Sequence, residues 1–260
     1  MVDLSLAPGV EFEVRTLEDL DTYLGAVADA GFPCVSLGLW QLAGDPEGAA
    51  WRLARRGLRC PDLLSLQISR HERDVLAQAE RLAPAAQALG ADYVLASFWT
   101  RVNEESIDRF GRCADLMARA GARLALEMPP VGELDNVGAS LRVVRAVGLE
   151  RAALLLDTFH FCRGASSWAE LDSVPLTALG YVQFTDALPA ASDDVMTETM
   201  DRRVMPGDGE LPLSRFATTL TRRGWSGLVS VEVLSADLRG LDVAAFARRA
   251  YETSVPYWSV

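Results

Sequence analysis

Lysine is absent from this 260-residue chain, so all 25 of its Lys/Arg positions are arginine. That excludes Schiff-base aldolase chemistry, lysine-bound pyridoxal phosphate and a phosphate-binding P-loop together. Positive charge is also in the minority, with a net charge of −11, which argues against a nucleic-acid partner because phosphate binding needs a basic face. The four cysteines (Cys34, Cys60, Cys113, Cys162) are scattered with no CxxC pair, so neither a zinc finger nor a redox motif is expected, only buried, unbridged thiols. No apolar run approaches the roughly 20 residues of a spanning helix. The opening Met1-Val-Asp-Leu-Ser5 lacks a basic start followed by an apolar core, so a cytoplasmic protein with no membrane partner is expected. Nor does a glycine-rich dinucleotide fingerprint follow any apolar run, which weakens a Rossmann reading and with it an oxidoreductase.

What is present is alternation. Strand-like apolar runs occur at 33–39, 63–68, 92–96, 123–127, 153–157, 179–184 and 228–233, with a less distinct first strand within 3–14. Amphipathic segments lie between them at 17–30, 45–56, 71–89, 104–120, 137–147, 212–223 and 241–252. Thr16 followed by Glu18 and Asp19, and Asp45 before Pro46, are plausible helix starts. Alternating strands and helices indicate an α/β fold. About eight strands in a half-apolar chain of 260 residues favour one (β/α)8 barrel over 1–260, a fold that typically takes about 250 residues.

Four of these runs end in a carboxylate or amide: Leu124-Ala-Leu-Glu127, Leu154-Leu-Leu-Asp157, Tyr181-Val-Gln183 and Val229-Ser-Val-Glu232. In a barrel of parallel strands the strand ends converge on one mouth, where active sites are built. The gaps of 30 positions from Glu127 to Asp157 and 26 from Asp157 to Gln183 each accommodate one helix with its loops, and the 49 to Glu232 contain an extra loop. A single such residue is as well explained by helix capping. Four in consecutive repeats are not, and three carboxylates in one mouth would repel unless a cation held them. Oxygen-only ligation suits a hard divalent ion, Mn²⁺ or Mg²⁺, with Co²⁺ or Zn²⁺ able to substitute.

Beyond these, His160 stands three residues after Asp157, where its ring can face the mouth, whereas His71 sits in the charged run Ser69-Arg-His-Glu-Arg73 and reads as surface. The segment 186–211 is the one long irregular stretch, and its place after the Gln183 strand predicts a lid over the mouth. It carries Arg203 before a Pro206-Gly-Asp-Gly209 turn, and a guanidinium offers a planar fork for substrate oxygens. Trp40 and Trp99 follow the second and fourth strands, placed equally well for barrel packing or a pocket wall.

Together, Leu156-Asp-Thr-Phe-His160, Glu127 before it and Arg203-x-x-Pro206-Gly207-x-Gly209 after it resemble the xylose isomerase-like TIM barrels, a group of sugar isomerases and epimerases, inosose and dehydroshikimate dehydratases and the endonuclease IV group. The resemblance in architecture covers the whole chain, and its specific motifs lie between 123 and 235. It implies metal ligation by Glu127, Asp157, Gln183 and Glu232, and substrate contacts by Glu133, His160 and Arg203. Many members carry histidine at the third ligand position; Gln183 is similar instead to the dehydroshikimate dehydratases. Pro129-Pro130 also departs from the epimerase pattern ahead of Glu133. With two histidines and an acidic surface, the chain does not resemble the DNA-repair branch.

The expected activity is a divalent-metal-dependent isomerase or epimerase acting on a sugar or polyol-derived ketone, with Glu127 and Glu232 as the acid/base pair. The alternative is a dehydratase in which His160 assists elimination, and a non-catalytic sugar-binding barrel is the third reading. The expected partner is a small molecule (a sugar, an inositol derivative or a cyclic hydroxy acid), and related barrels often form homodimers.

Overall fold

The structure, a computed structural model, describes residues 3–7 and 14–259. In chain order the elements are β1 (Asp3–Leu6), α1 (Leu17–Asp29), β2 (Cys34–Val35), β3 (Leu37–Gly38), α2 (Pro46–Arg56), β4 (Asp62–Ile68), α3 (Glu72–Leu89), β5 (Tyr93–Phe98), α4 (Glu104–Arg119), β6 (Arg123–Glu127), α5 (Val137–Val147) and β7 (Ala152–Asp157). They continue with α6 (Thr158–Arg163), α7 (Trp168–Ser173), β8 (Leu179–Phe184), β9 (Asp186–Ala187), α8 (Val195–Asp201), β10 (Arg203–Val204), α9 (Leu213–Arg222), β11 (Leu228–Val231) and α10 (Val243–Trp258). The main sheet is parallel, in the order β2-β1-β11-β8-β7-β6-β5-β4-β3. Its two end strands, β2 and β3, are halves of one stretch divided at Ser36, so the sheet returns on itself and nearly closes. This is the expected α/β TIM barrel. The first strand, sought within 3–14, lies at 3–6; positions 8–13 of that range are outside the described residues.

The helices start where the side chains dictate. Thr16 Oγ1 accepts from the Asp19 amide at 3.1 Å while Asp19 accepts from the Thr16 amide at 2.9 Å, a reciprocal cap for α1. Asp45 caps α2 through the Gly48 amide at 2.9 Å, with Pro46 opening the helix. Apolar helix faces pack on the outside of the barrel, where Val94, Leu124, Leu126, Leu154 and Leu156 are fully buried. Alternate residues point inward, and Cys34, Leu64, Leu95, Ala125, Leu155, Tyr181 and Leu228 form a separate interior layer. Beside it, the Ser36 hydroxyl lies 3.3 Å from that of Ser5 and 2.9 Å from that of Ser230. Asp62, at the start of β4, is fully buried, and neither carboxylate oxygen has a hydrogen bond of normal geometry.

Segment 186–211 departs from expectation because it is ordered. β9 and β10 pair antiparallel, and α8 lies between them. The organiser is Asp186, whose carboxylate accepts from the amides of Ala187, Gly207, Gly209 and Leu211 at 2.8–3.1 Å. None of the four cysteines forms a disulfide, and Cys34, Cys60 and Cys113 are buried. No helix among the described residues is long and apolar enough to cross a membrane.

Candidate active site

The period-two alternation of a strand builds the site. Two positions beyond the interior residues Ala125, Leu155 and Tyr181 stand Glu127, Asp157 and Gln183, each aimed into the barrel at its C-terminal mouth. Glu232 lies four positions beyond Leu228, immediately after β11. Since β11, β8, β7 and β6 are neighbours, the four residues form one continuous arc with Glu232 and Glu127 at its ends.

Polar contacts knit the arc. Gln183 Nε2 donates to Glu232 Oε1 at 3.0 Å, leaving Gln183 Oε1 buried without a partner. His160 is delivered by α6, whose start Asp157 caps by accepting from the His160 amide at 3.0 Å. Its Nε2 lies 3.2 Å from Glu127 Oε1 and 3.8 Å from Asp157 Oδ2, while its Nδ1 is buried without a partner. Arg203, in β10 and 1 % exposed, lies across the arc rather than above it. Its Nη1 donates to Asp157 Oδ2 at 2.7 Å and to Glu232 Oε2 at 3.2 Å. Nε and Nη2 donate to the carbonyl and hydroxyl of Thr199 at 2.9 and 2.8 Å. The guanidinium carbon also sits 4.9 Å from the Phe159 ring centre.

The field at the mouth is strongly coupled. Burial, with the charges of Asp157 and Glu127 behind it, pushes Glu232 up to about 7 against the opposing pull of Arg203. Burial works in the same sense on Asp157, but Arg203 and His160 outweigh it and hold that carboxyl below its ordinary value. Burial disfavours a charged His160, yet Asp157 and Glu127 prevail and raise it. Asp157 and Glu232 share the Arg203 guanidinium and Glu127 faces His160, so three carboxyls meet two basic groups at the mouth.

That donor set fits a cation. The unpartnered Gln183 Oε1 is the kind of hard oxygen that a divalent ion accepts. Ligand atoms of Glu127, Asp157 and His160 lie within 4.8 Å of one another, close enough to share an ion. The structure therefore groups His160 with two of the expected ligands, while Gln183 and Glu232 are tied to each other beside them.

Glu133 is not brought to the mouth. It is exposed, accepts from the Val102 amide at 2.9 Å, and is absent from the cavity lining. The loop after Pro129-Pro130 carries it away from the arc. Trp40 and Trp99 both line the cavity above the arc, and His71 is exposed as expected. Sequence reasoning missed Thr199, Phe159 and Asp186. Only the four-residue spacing from Thr199 to Arg203 across the end of α8 offered a hint.

A family model described as Xylose isomerase-like TIM barrel matches residues 19–253. The chain is 23% identical over 193 residues to an inosose isomerase of Halalkalibacterium halodurans, covering 70% of this chain and 67% of that protein. It is 24% identical over 231 residues to a 3-dehydroshikimate dehydratase of Pseudomonas putida, covering 83% of this chain but only 36% of that longer protein. A solved structure of the IOLI protein with a zinc atom shares the fold at a TM-score of 0.86 and 20% identity, covering 99% of this chain and 98% of that one.

Proposed function

Because the chain belongs to the xylose isomerase-like TIM barrel family, we propose that its mouth holds a divalent metal ion and interconverts sugar- or polyol-derived ketones by proton transfer beside the carbonyl. The observation that carries this is the arc of Glu127, Asp157, Gln183 and Glu232, with its three clustered carboxyls and unpartnered amide oxygen. These four residues would hold the ion, with His160 alongside. The zinc named for the IOLI protein supports a divalent ion, and the all-oxygen set favours Mn²⁺ or Mg²⁺. When bound, such an ion polarises the substrate carbonyl and offsets the negative charge that grows on its oxygen.

The rest follows from the protein's own groups. Glu232 and Glu127 occupy opposite ends of the arc, so a ketone lying between them meets one carboxylate on each face. One removes the proton from the carbon beside the carbonyl, and the other returns it. His160, within reach of Glu127, relays that proton, and Arg203 steadies the developing negative charge. Inosose isomerase among the relatives supports this reaction class.

Gln183 favours a second reading, a dehydratase that begins with the same deprotonation and then expels a β-oxygen with His160 as its acid; the dehydroshikimate dehydratase relative supports it. One experiment tests both. Chelator-stripped protein is supplied with Mn²⁺, and ketoses, inososes and dehydroshikimate are incubated with it in D₂O. The ion is expected to raise the melting temperature, by the equivalent of about 2.7 kcal/mol at a hundredfold excess over Kd. An isomerase yields deuterium-labelled substrate and its isomer, unchanged in mass apart from the label, and a dehydratase yields an unsaturated, ultraviolet-absorbing product lighter by water. Absence of both metal binding and exchange across the panel would refute the reading.

A further inference from the structure

The mouth is divided by polarity. Following the sheet, β11, β8, β7 and β6 carry the acidic arc, whereas β4 and β5 and the turns after β3 and β5 carry Leu64, Leu95, Phe98, Trp40 and Trp99. The cavity between the two halves has a volume of about 560 Å³, within the range of pockets that enclose drug-sized ligands. Among the described residues six large apolar side chains are exposed, and four of them (Trp40 60%, Trp99 61%, Val131 49%, Met196 52%) line this one cavity. Single exposed apolar residues need no explanation, but their concentration on one rim marks a binding surface.

The two indoles are set in place. Trp40 folds over Gly38, where a Cβ would meet its ring carbons at 2.3–2.4 Å, so only glycine allows the ring to lie there. Trp99 Nε1 donates to Ser97 Oγ at 2.9 Å, which satisfies the indole's one polar atom and fixes the ring. Ser65, Gln67 and Ser97 are the polar side chains on this side of the cavity, but a sugar hydroxyl turned to the indole rings themselves would lose water without gaining a partner. The face made by the two indoles is suited to carbon.

We propose that the substrate is amphiphilic: a hydroxylated carbonyl end lies at the acidic arc, and a planar aromatic group attached to it packs against Trp40 and Trp99. These two residues thereby determine specificity. The chemistry assigned to the polar end rests on the proton-transfer reading above; the apolar end rests on the cavity wall alone.

The test uses a matched pair of α-hydroxyketones, hydroxyacetone and 2-hydroxyacetophenone, which differ by methyl against phenyl. Binding to the Mn²⁺-supplied protein is measured by calorimetry, and hydrogen exchange beside the carbonyl is followed in D₂O. The phenyl ketone is expected to bind at least about tenfold more tightly, as burial of several further apolar carbons requires. Trp40→Ala and Trp99→Ala should each reduce that ratio severalfold. Trp51→Ala, which removes an exposed indole on α2 that does not line the cavity, should leave it unchanged. A ratio near one, or a ratio that survives both variants, overturns the proposal. So does a Trp40→Ala protein that loses self-association while keeping its ratio, since the rim would then be a contact between copies. Exchange without phenyl preference refutes this inference and leaves the proton-transfer reading standing; tryptophan-dependent preference without exchange does the reverse.

Discussion

Arg203 is fully buried beside Asp157 and Glu232, where a guanidinium would be costly without partners. Its planar fork serves Asp157, Glu232 and both oxygens of Thr199 at once, a geometry no ammonium reproduces. Arg203→Lys is therefore expected to lower kcat/KM by roughly ten- to a hundredfold despite keeping the charge, an effect of about 1.4–2.7 kcal/mol on the transition state. Arg203→Ala leaves Asp157 and Glu232 without their shared guanidinium. Metal-free, it should melt well below the parent, with a loss of roughly 3–5 kcal/mol. Its melting temperature should then rise more steeply with Mn²⁺ than the parent's, because the ion replaces the missing charge. A metal response no larger than the parent's would show that Arg203 does not share the ion's carboxylates. At this scale the site was partly readable from the sequence alone. Glu127, Asp157, Gln183 and Glu232 could be seen because strand ends mark themselves by where apolar runs stop. Thr199 and Phe159 could not, since their contacts with Arg203 depend on how α8 and α6 pack. The exposed position of Glu133 was not legible either, because its loop geometry, rather than its residue type, decides where its carboxylate goes.

Among the elements, the excursion from β9 to β10 depends on a single carboxylate. Asp186 gathers amides from both ends of the Met205–Leu211 turn, and Gly209 passes so close that a Cβ would stand 2.3 Å from the Ala187 carbonyl oxygen and 2.5 Å from Asp186 Oδ1. Gly209→Ala must push this turn outward and Arg203 with it. The expected result is a protein that stays folded by far-ultraviolet circular dichroism, with a loss of about 1–3 kcal/mol in stability and a larger proportional loss of activity. Unchanged activity would show that the turn does not position Arg203. Elements of this size explain why the segment read as irregular: β9 and β10 are two residues each, too short for a period to appear. Helix α6 was hidden differently. It follows β7 without a break, and its Thr158–Phe161 stretch is wholly buried, so it has no polar face to display a helical rhythm. The longer strands and outer helices were legible because one surface faces the core and, in the helices, the other faces water.

For the molecule as a whole, the interior of the barrel is as unusual below as above. Burial pushes Asp62 up to about 7, only partly offset by the nearby Ser36 and Tyr181 hydroxyls. A carboxyl raised on folding binds its proton more tightly in the native state. Its stabilising contribution is complete below the unfolded value near 4, declines as pH rises, and is lost above about 7. Across that window Asp62 should subtract roughly 4 kcal/mol from the folding stability. Asp62→Asn should therefore flatten the fall in stability between pH 4 and 7 and melt higher than the parent at pH 8; an unaltered pH profile would contradict the burial cost assigned to this residue.

The division of the mouth into two stretches has a consequence for engineering. The acidic arc comes from strands β6, β7, β8 and β11, while Trp40, Phe98 and Trp99 belong to the adjoining stretch of the ring, on β5 and the turns after β3 and β5. If the proposed division of labour holds, laboratory libraries confined to the turns after β3 and β5 should alter ligand preference while leaving the four residues of the acidic arc untouched.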